Sequence, residues 1–235
     1  MFIDYKTVKD FIGWGKTENF VKELIKNYNI KTILEIGAGA NPTINAEYIK
    51  ANNLDYTISD IDNIELQKAE KVYNKMVVDF SADINIEQKY DLVFSRMVGE
   101  HISNGKLFHN NIFKILNKGG ISFHCFSTLY ALPFVLNRIM PENFSDRLLS
   151  AFAPRDKDKH GKFKAYYEWC RGPSNKMIKR YKSIGYEIIE YVGYFGHNYY
   201  KKIPVLNKIE NTKAELLKRM RISYATAYTH IILKK

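Results

Sequence analysis

Two glycines one residue apart, directly behind a short apolar run, are the first residues here whose type and spacing imply chemistry. The stretch Glu35-Ile36-Gly37-Ala38-Gly39-Ala40-Asn41-Pro42 follows the run TILEI at 32–36 and precedes a helical pattern. Lacking Cβ atoms, Gly37 and Gly39 let the chain turn tightly and let a ligand come close to the backbone. A nicotinamide-binding fingerprint, G-x-G-x-x-G, needs glycine where Pro42 stands, so that cofactor is not expected. Asp60 lies 23 residues beyond Gly37, at the end of YTISD. A carboxylate there can accept hydrogen bonds from both hydroxyls of a ribose. Asp62 is its rival for that role, but with Glu65 three residues later it reads as a helix-capping pair.

Proton transfer needs a group that titrates near neutrality, and imidazole is the side chain suited to it. His101 follows the apolar run 90–95 and is the candidate base; its other reading is a helix-start histidine bonded to backbone. His124 sits inside a strand pattern and reads as core, His230 as partly buried, and His109 and His160 have little local support. No metal site is expected, since there is no H-E-x-x-H and no Cys/His cluster. A second constellation mixes rings and cations: Arg155, His160, Lys162, Tyr166, Tyr167, Glu168, Trp169 and Arg171, then Gly196-His197-Asn198-Tyr199-Tyr200. Aromatic faces interleaved with cations suit a sugar ring beside a phosphate. Arg155, Lys162, Tyr166, Tyr167 and His197 are the expected substrate contacts, while part of this set would pack a cap onto the body of the protein.

The elements that must position these groups alternate. Strands are expected at 32–36, 55–59, 75–79, 90–95, 119–126, 186–192 and 223–233, with helical patterns at 17–28, 43–53, 63–73, 105–117 and 174–184. In the first helix Thr17 reads as the N-cap, and Phe20, Val21, Leu24 and Ile25 form one apolar face. Strands alternating with helices predict an α/β, Rossmann-like, doubly wound and mostly parallel sheet of seven strands. The chain reads as one domain: an N-terminal helical segment (1–29), a ligand-binding half (30–126), and helical cap insertions at 127–172 and 193–221. A structureless loop as long as the first insertion is improbable in a compact domain, and the carboxyl edge of such a sheet is where ligands bind. Tyr5, Phe11 and Trp14 in the N-terminal segment are expected to close over that edge.

The 235 residues include 36 Lys+Arg against 25 Asp+Glu, a net charge of +11. That favours anionic partners, although scattered lysines also serve simply to solvate a surface, and no run of five like charges occurs. Cys125 and Cys170 are the only cysteines, which predicts a reduced, cytoplasmic protein without a disulfide framework. No apolar stretch reaches the roughly 18 residues of a membrane span, and MFIDYKTVKDFIGWGK has no signal-peptide pattern.

Glu35-x-Gly37-x-Gly39 resembles motif I of class I S-adenosylmethionine-dependent methyltransferases, with Asn41 where a third glycine is usual. YDLVFSRMVGEHI (90–102) is similar to the fourth-strand motif of that superfamily, and Leu116-Asn117-Lys118-Gly119-Gly120 to its L-x-P-G-G turn. The resemblance covers about residues 30–126. It implies that Glu35, Gly37, Ala38 and Gly39 wrap the methionine part of S-adenosylmethionine, and that Asp60 and Ile61 meet the ribose side. It further implies that Asp79 and Phe80 serve the adenine, that Ser95 and Met97 lie beside the cofactor, and that His101 lies near the transferred methyl. S-adenosylhomocysteine would be the by-product. KFKAYYEWCRGP and GYFGHNYYKKIP loosely resemble methyltransferases of bacterial surface-polysaccharide pathways.

The function expected is therefore O-methylation of a sugar, nucleotide-sugar or phosphorylated glycan precursor, a small anionic or sugar-containing acceptor. A nucleic-acid methyltransferase is the first alternative; the N-P-P-Y motif that grips a flipped base is absent, and SRMVGEH stands in its place. A non-catalytic, cofactor-binding subunit is the second.

Overall fold

A computed structural model of the protein describes residues 1–129 and 164–235. Eight strands form one sheet: β1 (Phe2–Thr7), β2 (Thr32–Ile36), β3 (Asp55–Asp60), β4 (Asn74–Val77), β5 (Tyr90–Arg96), β6 (Leu116–Ser127), β7 (Glu187–Phe195) and β8 (Tyr228–Lys234). Their spatial order is β1-β7-β8-β6-β5-β2-β3-β4, and only β8 runs antiparallel to its neighbours. The helices are α1 (Thr17–Asn27), α2 (Ala46–Ala51), α3 (Asn63–Gln67), α4 (Gly105–Ile115), α5 (Asn175–Ile184) and α6 (Pro204–Arg219).

The central strands are continuous apolar runs because both faces of a parallel sheet are covered. Ile33, Leu34, Ile58, Leu92, Val93, Phe94 and Phe123 are fully buried along it. Helix α1 buries Val21, Leu24 and Ile25, and Phe20 meets Phe123 at 5.0 Å. Connection order then fixes the site. The chain goes from β2 outward to β3 and β4, then returns to the other side of β2 as β5, leaving a crevice at the carboxyl ends of β2 and β5.

Four expectations need correction. The segment 1–29 is not wholly helical, because Phe2–Thr7 adds an eighth strand to the seven expected, parallel to β7 at the sheet edge. Tyr5 is therefore committed to that edge, stacking on Phe195 at 5.8 Å and donating to the Pro173 carbonyl. Thr17 is the first helical residue rather than the cap, its hydroxyl given to the Ile12 carbonyl. Only Asn63–Gln67 of 63–73 is helical, and the turns that follow bring the Tyr73 hydroxyl to the Ile44 carbonyl. In the insertion 193–221, α6 packs against β1 and β7, at the end of the sheet opposite β4. Of the insertion 127–172, residues 130–163 lie outside the described residues.

Beneath α4 the core holds two neutral histidines. His124 lies between the hydroxyls of Ser95 (2.7 Å) and Ser122 (2.6 Å), and its ring is 5.3 Å from that of His109. Burial lowers the His124 pKa to about 3; burial, and then the neighbouring His124, push His109 well below its ordinary range. Below pH ~6.5 the unfolded chain takes up protons that these folded imidazoles refuse, so stability held above that pH is lost on acidification. The expected slope is about 1.4 kcal/mol per pH unit for each histidine as pH falls from ~6.5. Urea unfolding between pH 7 and 5 measures it, and a His124→Gln protein should show a slope smaller by one histidine's share. Equal slopes in the two proteins would remove His124 as a source.

Candidate active site

The glycine loop is shaped by what surrounds it. Gly37 has φ +74° and Gly39 φ +50°, in the left-handed region that favours glycine. The Gly37 and Ala38 amides both donate to the Ser59 carbonyl on β3, at 2.7 and 3.1 Å. A Cβ on Gly37 would stand 2.3 Å from Val98 Cγ2, so the loops after β2 and β5 touch there. A Cβ on Gly39 would face Asp60 Oδ2 at 3.5 Å. The loop is thus a backbone-walled cradle next to a carboxylate at the end of the neighbouring strand. That arrangement fits a nucleoside ligand whose ribose meets an acid while its other end lies against bare backbone.

Glu35 does not face this cradle as a ligand contact. It is buried, with Thr43 donating from both its amide (2.9 Å) and its hydroxyl, and the Tyr56 hydroxyl donating at 2.7 Å. Burial pushes its carboxyl above the usual range, and the bonds from Thr43 and Tyr56 oppose that rise. Its work is to clamp the far end of the glycine loop onto β2 and β3.

Asp60 accepts from the Asp62 amide at 3.0 Å through Oδ1, while Asp62 caps α3 through the amides of Ile64 and Glu65. Ile61 is exposed beside it. Asp79 accepts from the Ser81 amide and hydroxyl at 2.8 and 2.7 Å, and lines a cavity of about 530 Å³ at the β4 edge. The Phe80 ring is buried against Phe108 and its carbonyl accepts from Asn111, so the ring cannot serve a base; the amide is what it can offer. The Ser95 hydroxyl is likewise turned away, to His124. Met97 holds φ +55°, a strained conformation for a non-glycine residue, at the point where the chain leaves β5.

His101 ends the short helix Gly99–His101, and its Nδ1 lies 3.1 Å from the Lys164 carbonyl. A carbonyl only accepts, so Nδ1 carries the proton and Nε2 the lone pair. That is the tautomer a base requires.

Glu100, immediately before it, is a buried carboxyl at the same edge that the sequence reading did not single out. Its Oε1 accepts from the Ser127 hydroxyl at 2.9 Å, while Oε2 is buried with no hydrogen-bond partner among the described residues. Burial raises its pKa, opposed by the charge of neighbouring His101 and by the Ser127 hydroxyl. The only sequence signal was adjacency to His101.

The backbone carbonyl of Glu100 also accepts from the amides of Tyr166 and Tyr167, at 2.8 and 3.0 Å. This ties the loop carrying His101 to a cavity of about 430 Å³ lined by Tyr166, Trp169, Arg171, Lys176, Arg180 and Tyr224, among others. Arg180 stacks over Trp169 at 5.3 Å, and Arg171 braces the wall through the Tyr167 and Cys170 carbonyls. Tyr166 is partly exposed there, whereas Tyr167 is buried with its hydroxyl pKa pushed up to about 12 by desolvation. His197 is no pocket residue: it is buried against Glu210 at 3.5 Å, between Tyr199 and Tyr200. Arg155 and Lys162, with His160, lie outside the described residues. Among the described residues no group of three or more His, Cys, Asp or Glu could hold a metal ion.

A family model described as a methyltransferase domain matches residues 16–164. No curated protein matches the chain by sequence. By structure, 96% of the chain superposes on 92% of an S-adenosylmethionine-dependent methyltransferase from Clostridium acetobutylicum, with a TM-score of 0.57 and 17% identity. It is similar over 92% of its length to 52% of phosphoethanolamine N-methyltransferase 2 of Haemonchus contortus, solved with S-adenosyl-L-methionine (TM-score 0.55, 15% identity). A third likeness is to the plantazolicin methyltransferase BpumL, solved in complex with a pentazolic desmethylPZN analogue and SAH (97% of this chain, 86% of that one, TM-score 0.54, 13% identity).

Proposed function

The chain belongs to the class I S-adenosylmethionine-dependent methyltransferases, and from that premise we propose that it methylates a hydroxyl of a small anionic or sugar-containing acceptor. The observation that carries this reading is the 430 Å³ cavity, where Tyr166 offers its ring and Lys176 and Arg180, the latter backed by the Trp169 ring, offer charge. Rings suit the faces of a sugar, and guanidinium and ammonium groups suit a phosphate. Sugars, nucleotide-sugars and phosphorylated glycan precursors share that chemistry.

In this reading Gly37, Ala38 and Gly39 cradle the amino-acid end of the cofactor with backbone, and Asp60 accepts from the ribose hydroxyls. Asp79 and the Phe80 amide meet the adenine. When bound, S-adenosylmethionine supplies a methyl group on a positively charged sulfur, open to in-line displacement. The protein's contribution is alignment, exclusion of water and removal of one proton. His101 Nε2 takes that proton from the acceptor hydroxyl.

Incubation with methyl-labelled S-adenosylmethionine and fractionated extract tests the acceptor class: label should enter small sugar or sugar-phosphate metabolites. Label entering RNA would sink the reading. With the acceptor in hand, Arg180→Ala should raise its KM by about tenfold, the loss of one charge-assisted hydrogen bond, and leave the cofactor Kd unchanged. An unchanged acceptor KM would move the pocket elsewhere.

A further inference from the structure

Helix α6 has two faces of opposite kind. Its inner face buries Glu210 and Ala214 against the sheet end formed by β1 and β7. On its outer face Val205 is 70% exposed, Ile209 60%, Leu216 56%, and Met220, just past its end, 60%. Spacings of four, seven and four residues place these side chains in one line along the helix. Sixteen helical residues extend that line over roughly 24 Å. A stripe of large aliphatic side chains left in water on a helix whose other face is already packed calls for something to cover it.

The charges around the stripe identify what that is. By the helical repeat, Lys208 and Arg219 flank it on one side and Lys213 on the other; Lys201 and Lys202 precede the helix and Arg221 follows it. Lys213 is paired with Glu210 and keeps its positive charge at this surface, whereas Arg221 turns to β1, over the Tyr5 ring and onto the Ile3 carbonyl. Of the acids in α6, Glu210 faces inward, and Glu215, paired with Lys218 at 2.6 Å, lies by the helical repeat on the Lys208 side, where Lys208, Lys218 and Arg219 outnumber it. The outer face is thus apolar along its centre and cationic along its margins.

We propose that α6 is a membrane-surface helix, lying in the headgroup region of an anionic phospholipid bilayer with Val205, Ile209, Leu216 and Met220 inserted. An anionic surface satisfies the apolar line and the flanking cations together, the pattern of helices that lie in the interface without crossing it. Lysine and arginine stems can cover apolar surface while their charges remain at the headgroups. A second copy of the chain fits less well. Two-fold pairing of this face would set Lys208, Lys213 and Arg219 against the same set on the partner. No helix among the described residues is long and apolar enough to cross a membrane, so the contact is peripheral. Because α6 follows β7, it starts at the carboxyl edge of the parallel strands, the edge that also carries the candidate active site. The proposal does not depend on the identity of the methyl acceptor.

Co-sedimentation of the 235-residue protein with lipid vesicles tests it. Binding to vesicles of phosphatidylcholine and phosphatidylglycerol is expected to be at least tenfold tighter than to phosphatidylcholine alone, and to weaken in high salt. The double variant Ile209→Ser, Leu216→Ser alters only exposed side chains, and should keep the wild-type melting temperature while losing about tenfold or more in vesicle affinity. Lys208→Glu with Arg219→Glu should lose the preference for anionic lipid. Absence of wild-type binding to the anionic vesicles overturns the proposal, as does wild-type affinity in the serine variant. Sedimentation as a dimer that the serine variant converts to monomer would instead assign the stripe to a second copy.

Discussion

Replacing His101 with glutamine should lower turnover by about 10²–10⁴-fold, the usual worth of general-base assistance, with cofactor affinity little changed. The expectation rests on placement and tautomer together. His101 stands on the loop leaving β5, beside the crevice between β2 and β5, and its Nδ1 is held by the Lys164 carbonyl so that Nε2 carries the lone pair. Glutamine keeps polarity and approximate size but cannot accept a proton, so a folding defect and a lost base are separable. The variant should melt like the wild type, and the acid limb of its rate–pH profile should vanish where that limb reports this imidazole. Glu100→Gln supplies the companion measurement. If the buried carboxyl supports the imidazolium, this variant slows turnover and shifts the acid limb, whereas a purely packing role would leave the limb in place. A His101→Gln enzyme within about threefold of wild type at every pH would sink the assignment, being far below the expected contribution. Alignment and exclusion of water would then account for the transfer without a dedicated base.

Asp60→Ala should leave the protein folded and weaken S-adenosylmethionine by about 1–3 kcal/mol, roughly fivefold to 150-fold in Kd. The carboxylate lies at the carboxyl end of β3, with Oδ2 facing the bare backbone of Gly39. Removing it strands the ribose hydroxyls of a bound nucleoside without their acceptor. Its carboxylate's one bond among the described residues, from the Asp62 amide, is at a partly buried turn, and Asp62 keeps its own capping bonds to α3. The fold therefore has little reason to suffer. Titration calorimetry with S-adenosylmethionine and S-adenosylhomocysteine reads the change directly, and unchanged affinity would take Asp60 out of the site.

Much of the architecture could be read from short-range pattern. The runs 32–36, 55–59 and 90–95 declare themselves because strands buried on both faces must be apolar throughout. Gly37 and Gly39 declare a turn because their positive φ angles exclude most other residues. Asp62 declares a cap because its acceptor is local. These are properties of a residue and its immediate neighbours, and no tertiary partner is needed to see them.

What the tertiary structure alone decided is where side chains point and what meets them. β1, FIDYKT, has a mostly half-buried run with no alternation in burial and becomes a strand only through pairing with residues 190–195, nearly two hundred positions away. Whether Glu35 and Ser95 face a ligand or the interior depends on Tyr56 and His124, contributed by neighbouring strands. His197 reads as a pocket residue until α6 folds back and sets Glu210 against it. The burial of Glu100 is likewise made by Ser127, at the end of β6, and by the segment carrying Tyr166 and Tyr167. Sequence periodicity encodes the apolar face and the turn, since both are local free-energy preferences. The desolvation of a carboxyl, and the partner that answers it, exist only once distant segments have closed around it.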